Sequence, residues 1–444
     1  MKRHALLALL FLSVLPCVFG QRVLVPQAQA VTASGAATSD LRRESFEIVW
    51  RTVKEKHFDP TFGGVDWDKV HEKYAPRVAA AAGDEQFYEL LQQMLGELHQ
   101  SHFGIIRPED IQDDSAGPTI GGVGVDLRMV DGEPVISRVD AGSSAERAGI
   151  RPGFVLRKVD DTDVLQLITK MAARQESPAI KKIRAVRGML ARINGKPGTS
   201  VRITCLDGQG ASREAQVQRE KLKGEMSPRF GNFPPQYVEF ETKRMAGSIG
   251  YIRFNIFVMP VMERIRAGIR SMRDEAGLII DLRGNPGGIG GMSSGIAGLL
   301  EDKPASLGTM RMRVGYQNFA VFPQRDPYLG PLVILMDQMS ASTSEVFASG
   351  MQEMGRAVIV GEQSAGAALP SIIQKLPIGA LFQYAIADFK TPKGTLIEGR
   401  GVTPNVNVKL GRAALLAGRD PQLDAAIAAL QKRAGLARRL HAAA

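Results

Sequence analysis

Cysteine and tryptophan occur only twice each in 444 residues, and histidine six times. Cys17 lies in an apolar N-terminal stretch, so removal of that stretch leaves Cys205 alone, which excludes an intramolecular disulfide and any structural zinc site built on thiolates. Aromatic residues make up 6% of the chain, and no zinc-finger, basic-zipper or aromatic RNA-binding signature occurs. Nucleic acid is therefore not an expected partner despite a formal charge of +10. The densest basic groups, Lys181-Lys182 with Arg184 and Arg187, and residues 433–439, read as solvated helix faces. Long apolar runs are missing too. The longest, residues 5–15, is too short to span about 30 Å of hydrocarbon. With 44% hydrophobic and 23% charged residues, neither a multi-span membrane protein nor wholesale disorder fits.

The apolar run follows Lys2, Arg3 and His4 and stops at Pro16, the layout of a secretory leader. The chain is expected to be exported, to the periplasm or outside the cell. Cleavage after Gly20 satisfies the preference for small residues, and Ala30 is the competing site. Cys17 raises a lipid-anchor reading, which Pro16 beside it opposes; no other membrane association is expected. Loss of Lys2 and Arg3 lowers the formal charge from +10 to +8.

Composition then divides the chain into a leader (1–20), a linker (21–39, rich in Ser, Thr, Ala and Gly from Val31), an N-terminal helical subdomain (40–107), a β-rich unit with a basic helical insertion (108–222), an α/β unit (223–412) and a helical tail (413–444). Phe46, Val49, Trp50 and Val53 share a face at helical spacing, as do Phe87, Leu90, Leu91, Met94, Leu95 and Leu98. In the α/β unit, near-continuous apolar runs at 250–254, 277–282, 331–336 and 357–361 alternate with helical patterns at 258–275, 288–300 and 343–354, which predicts a largely parallel sheet covered on both faces.

Three segments carry chemistry. Asp337-Gln338-Met339-Ser340-Ala341-Ser342-Thr343-Ser344-Glu345 joins a buried strand to a helix. A serine there meets unpaired amides and the positive end of the helix dipole, which stabilise a developing anion. The same letters fit an S-x-x-E capping box, which needs no catalysis. Asp281-Leu282-Arg283-Gly284-Asn285-Pro286-Gly287-Gly288 is a glycine-rich turn whose amides can approach a substrate; it lacks the G-x-G-x-x-G or Gly-Lys-Ser/Thr spacing of nucleotide loops. Leu98-His99-Gln100-Ser101-His102-Phe103 supplies an imidazole, and His102, four residues after Leu98, is expected to continue the apolar helix face while His99 lies off it. A zinc reading of His99-x-x-His102 fails for want of a third ligand.

Within the β-rich unit, Gly121-Gly122-Val123-Gly124-Val125, then 141–150 and Pro152-Gly153-Phe154, resemble a PDZ domain. That likeness implies a loop over Gly122, Val123, Gly124 and Val125 whose amides receive a C-terminal carboxylate, beside a strand edge to which a peptide adds. Taken in order with Ser101-His102, Asp281-Leu282-Arg283, Ser340-Ala341-Ser342, Gly361-Glu362 and Glu398-Gly399-Arg400-Gly401-Val402-Thr403-Pro404, the chain resembles the C-terminal-processing and tricorn-type serine peptidases over about residues 41–410. The resemblance implies an α/β fold with a crotonase-like ββα core, an N-terminal helical subdomain and an inserted PDZ domain. It further implies Ser342 as nucleophile, with oxyanion donors at Gly287, Gly288 and Thr343. One branch of that family places a lysine base 25 residues after the nucleophile, where this chain has Ala367. The tricorn-like pattern matches instead, implying His102 as base with Ser101 and Glu398 orienting it. No cofactor or metal is implied, and the partners are protein or peptide substrates gripped by their C-termini. Pro286 stands where tricorn-like members tend to have glycine and offers no amide, so a catalytically inactive peptide-binding scaffold is the alternative, and an acyl-CoA enzyme a further one.

Overall fold

A computed structural model describes residues 28–111, 121–172, 176–222 and 224–443. The leader, the cleavage site after Gly20 and Cys17 lie outside the described residues, whereas the competing site at Ala30 falls in the first turn of the first helix. Among the described residues no helix is long and apolar enough to cross a membrane.

The six-stranded core sheet runs in the order Phe240–Met245, Ile249–Phe254, Gly277–Asp281, Leu332–Met336, Ala357–Gly361 and Val406–Asn407. Its first pair is antiparallel and the rest are parallel. Strand periodicity explains why the apolar runs are unbroken. Leu278, Ile280, Leu332, Ile334 and Met336 bury against helices Met259–Ser271, Gly291–Ala297 and Thr343–Glu353, while Ile279, Val333, Leu335 and Val360 bury against Ala426 and Leu430 of the last helix. The C-terminal helix, Pro421–Ala443, is thus the cover of the sheet's second face rather than a free tail.

The second six-stranded sheet places Val125–Val130 at one edge, followed by Glu133–Val139, Val155–Val159, Ser200–Leu206 and Ser212–Gln218, with the short Thr162–Asp163 pairing Val155–Val159 off this path. Two helices, Val164–Ala172 and Pro178–Ile193, pack on it. Its apolar cluster does not stop at the unit's border: Ile183, Val186 and Met189 share it with Met339, Ala341, Ala365 and Ala367 of the core.

The N-terminal helices Ala28–Lys56, Trp67–Ala79 and Asp84–Gly96 bury Phe46, Trp67, Phe87 and Leu91 in one cluster with Leu376, Phe382 and Tyr384 of the hairpin Ser371–Lys375 and Leu381–Ala385. The strand Gly104–Ile106 pairs with Leu381–Gln383. Two expectations need correction here. Residues 31–39, read as linker, continue the first helix, because their alanines favour helix and a single Gly35 does not break it. His102 does not continue a helical face, since that helix ends at Gly96 and the chain turns through left-handed His99 (φ 53) and His102 (φ 60).

Candidate active site

Parallel strands that lie side by side put their C-terminal ends on one edge, so the loops leaving them converge. Here those loops are 282–290 after Asp281, 337–342 after Met336 and 362–370 after Gly361. Side-chain bonds lace them together. Ser340 Oγ donates to Leu282 O (2.8 Å), Ser344 Oγ to Asn285 O (3.0 Å) and Thr343 Oγ1 to Gly288 O (2.9 Å).

Ser342 caps the helix Thr343–Glu353 with φ 56 and ψ −121, a conformation costly for a residue bearing a Cβ. Several contacts hold it there: its amide donates to Ala367 O (2.8 Å) and to Glu345 Oε2 (3.0 Å), and Gly287 lies so close that a Cβ on that glycine would sit 2.7 Å from Ser342 Cβ. The capping-box letters are therefore used only in half. The Glu345 carboxylate caps the Ser342 amide, but the Ser342 hydroxyl makes no capping hydrogen bond, because the Glu345 amide goes to the Ser342 carbonyl oxygen instead. Glu345 also accepts from Ser364 Oγ (2.6 Å), the Gly366 amide (2.7 Å) and the Ala367 amide (2.9 Å). Burial pushes its carboxyl up to about 7 against these donors, which favour the anion. From residue type and spacing Glu345 has only a capping role; its distant partners appear in the fold alone.

The three expected oxyanion donors differ. The Gly287 amide donates to Asn285 Oδ1 (2.9 Å) and is already committed. The amides of Gly288 and Thr343 have no partner among the described residues, and both residues line one cavity with Ser342. That cavity holds about 460 Å³ and is walled by Met310, Phe319, Val346, Leu369 and Ile386, with no charged side chain in its lining. Which of the two expected glycines keeps a free amide was not legible, since adjacent glycines look alike until Asn285 Oδ1 is placed against one of them.

His102 and its neighbours form a second arm. Glu398 Oε1 accepts from the Ser101 amide (2.8 Å), and Glu398 Oε2 from Ser101 Oγ (2.9 Å) and the Ala368 amide (3.0 Å). Ser101 Oγ lies 2.7 Å from His102 Nδ1. Burial raises the Glu398 carboxyl above its ordinary value, partly offset by those donors. Burial, followed by the charge of Arg187, pushes His102 down to about 4. His57, wholly buried and absent from the sequence argument, steadies this turn: it bonds Gln100 Oε1 through Nε2 (2.9 Å) and stacks on Phe103. The arms meet at two adjacent residues, Ala367 receiving the Ser342 amide and Ala368 donating to Glu398, although no hydrogen bond joins His102 directly to Ser342. Ala367 itself is a buried methyl in an apolar cluster.

The residues Gly122, Val123, Gly124 and Val125 lie outside this cavity. Val123 O accepts from the Ala145 amide (3.1 Å) and Gly124 adopts φ 80, while the amides of Val123 and Gly124 have no partner among the described residues. The adjoining edge strand, Val125–Val130, is partly occupied: Gln338 Nε2 donates to Met129 O (2.7 Å), and buried Arg128 pairs with Asp337. Among the described residues no three His, Cys, Asp or Glu side chains gather as a metal site.

Comparison with known proteins agrees with this layout. Residues 248–408 match peptidase family S41, and residues 40–96 match the tricorn protease C1 domain. The carboxyl-terminal-processing protease of Synechocystis sp. is 26% identical over 367 residues, covering 80% of this chain and 78% of that protein. Among solved structures, the photosystem II D1 C-terminal processing protease superposes with a TM-score of 0.57 at 22% identity, over 83% of this chain and 93% of the other. Mature CPAF complexed with lactacystin does so with a TM-score of 0.61 at 14% identity, over 91% and 99%. The S41 match spans the parallel strands, the glycine turn and the helix-capping serine described above, so this part of the chain is similar to the S41 peptidases and the chain as a whole to the carboxyl-terminal-processing proteases.

Proposed function

We propose that Ser342 is the nucleophile, His102 the general base, and the amides of Gly288 and Thr343 the oxyanion hole, with Ser101 and Glu398 as positioning residues. The observation that carries this reading is the strained, uncapped Ser342 hydroxyl in one cavity with two unpaired amides. Attack of Ser342 Oγ on a peptide carbonyl puts negative charge where Gly288 and Thr343 can donate, and the nearby helix N-terminus adds to the effect. His102 takes the hydroxyl proton and returns it to the departing amine, after which water releases the acyl group. Pro286 takes nothing from this scheme, because both proposed donors are amides of other residues, Gly288 and Thr343. The absence of a lysine at 367 favours the Ser-His over the Ser-Lys pattern.

The domain division stated from the sequence belongs to the same proposal, with a crotonase-like core and an inserted PDZ unit. The unpaired amides of Val123 and Gly124, beside an edge strand and the helix Pro178–Ile193, support reception of a substrate's C-terminus there, and the leader-like segment supports export. Incubation of the mature protein with a fluorophosphonate, followed by peptide mapping, tests the core of this reading. Labelling at Ser342 that falls at least ~10²-fold in His102→Ala is expected; a protein that cleaves peptides with Ser342 unlabelled rules it out.

A further inference from the structure

An edge strand exposes a row of main-chain N–H and C=O groups, and proteins ordinarily blunt such edges with charge, proline or short length. Four edge strands here follow that rule. Asp126 and Arg128 lie in Val125–Val130, Arg213 and Glu214 in Ser212–Gln218, Glu241 and Lys243 in Phe240–Met245, and Lys375 in Ser371–Lys375. The strand Tyr316–Val321 does not. Its sheet runs in the order Tyr316–Val321, Ala305–Met312, Ala387–Lys390, so one side of it is unpaired, and none of its residues is charged or a proline.

The hairpin register fixes which groups face outward. The Met312 amide donates to Gly315 O (3.1 Å), so this closing pair is hydrogen-bonded and Met310–Gln317, two steps on, is as well, while Arg311–Tyr316 and Thr309–Asn318 are the non-bonded pairs. The Arg311 amide agrees, since it points away from Tyr316 and donates to Asp388 Oδ1 (3.3 Å) on the other neighbouring strand. The main-chain groups of Tyr316 and Asn318 therefore point off the free edge, and none of them has a partner among the described residues.

Asn318 lines the cavity that holds Ser342, Gly288 and Thr343. Its strand is braced in place. The Asn318 side chain accepts from Thr309 Oγ1 (2.8 Å), Phe319 packs edge-on against Phe389 with ring centroids 5.6 Å apart, and Arg313 at the hairpin tip donates to Lys54 O (2.9 Å) in the last turn of the first helix. The other edge that reaches this cavity, Ser371–Lys375, is already engaged, because Asn232 Nδ2 donates to Ile373 O (3.0 Å).

A braced, uncharged strand edge in the cavity of the nucleophile fits an extended polypeptide, whose main chain supplies the affinity. We propose that the acyl segment of the substrate adds as a strand to Tyr316–Val321, one of its residues exchanging two main-chain hydrogen bonds with Asn318. The acyl side is assigned because this cavity also holds the oxyanion donors, and His102 is absent from its lining. A substrate then needs several residues before the scissile bond that are free of secondary structure of their own. This inference deepens the reading of Ser342 as nucleophile and rests on it.

Peptides of one sequence are made in which single amides before the scissile bond are replaced in turn by esters, which removes one N–H and keeps every side chain. Cleavage by the full chain is expected to show kcat/KM lowered about 3–10-fold at every second position, the range of one hydrogen bond, and nearly unchanged between. Asn318→Pro removes the outward amide without removing a ladder bond. It is expected to lower kcat/KM about 3–10-fold relative to the rate at which a small fluorophosphonate, too short to reach the strand, labels Ser342. A flat ester scan overturns the proposal, as does a two-residue pattern found only after the scissile bond. An equal fall of cleavage and labelling in Asn318→Pro overturns the assignment to this edge. So does a dimer in sedimentation that Asn318→Pro disperses, since the edge then pairs with a second copy. If the wild-type chain shows the pattern with Ser342 unlabelled, the strand site stands and the nucleophile reading falls. If it neither cleaves nor labels, the affinities of the same peptides carrying a fluorophore give the scan, so the two readings fail separately.

Discussion

The Ser101 hydroxyl donates its single proton to Glu398 Oε2 at 2.9 Å, which leaves only lone pairs for the imidazole 2.7 Å away. His102 must then carry its proton on Nδ1 and present a bare Nε2, the tautomer a general base needs. A hydroxyl thus transmits the orienting effect of a carboxylate one residue further than a direct His-carboxylate pair would. Ser101→Ala and Glu398→Gln are expected to lower kcat by about 10²–10⁴-fold with little change in KM. Ser101→Thr, which keeps the hydroxyl, should recover part of the loss. Steady-state kinetics with one peptide checks this, and a pure KM effect would show that neither group orients the base.

The depressed pKa of His102 fixes a pH dependence. In its proposed role His102 must be neutral, and burial together with Arg187 holds its pKa at about 4, so kcat/KM should persist below pH 6 and fall only toward pH 4 to 5. Stability follows the same sign. A folded-state pKa below the ordinary 6.5 means the contribution is fully present above pH 6.5 and drains away as pH falls toward 4, by at most about 3 kcal/mol. Rate profiles and denaturant titrations between pH 4 and 8 measure both. An acid limb centred at 6.5 would mean that solvent reaches His102 freely.

Arg128 and Asp337 form a buried ion pair across the seam between the second sheet and the core, and Asp337 Oδ1 also accepts from the amides of Gly284 and Met339 at 2.9 Å each. Removing the guanidinium leaves the buried Asp337 carboxylate without its counter-ion. Arg128→Ala is expected to cost about 3–5 kcal/mol in denaturant unfolding. Activity should fall with it, because Asp337 loses its fixed position between the glycine turn and the loop that carries Ser342. A change below about 1 kcal/mol would mean that water replaces the guanidinium without loss.

The unbroken apolar runs at 277–281 and 332–336, the helix after Ser342 and the glycine turn before 288 were all legible in order along the chain, because strand and helix periodicities are local properties. The chemistry-bearing letters Ser342, His102, Ser101 and Glu398 were legible as types. Their mutual bonds were not: Ser101 and Glu398 are 297 residues apart, and no local rule pairs them. Two local rules misled. The apolar stripe from Phe87 to Leu98 implied a helix through His102, whereas the backbone turns left-handed at His99; and the glycine pair 287–288 gave no hint that Asn285 would claim one amide and free the other.

Sequence by itself thus determined which segments are strands and helices and which side chains are reactive, since both depend on residue type and spacing over a few neighbours. Only the tertiary structure decided which amides stay unpaired, that Glu345 gathers donors from the 364–367 loop, and that a basic helix packs its apolar face on Ala341 and Ala367 beside Ser342. Those outcomes depend on hydrogen bonds and packing closed over hundreds of residues, where each donor is spent once and its partner is set by the fold as a whole.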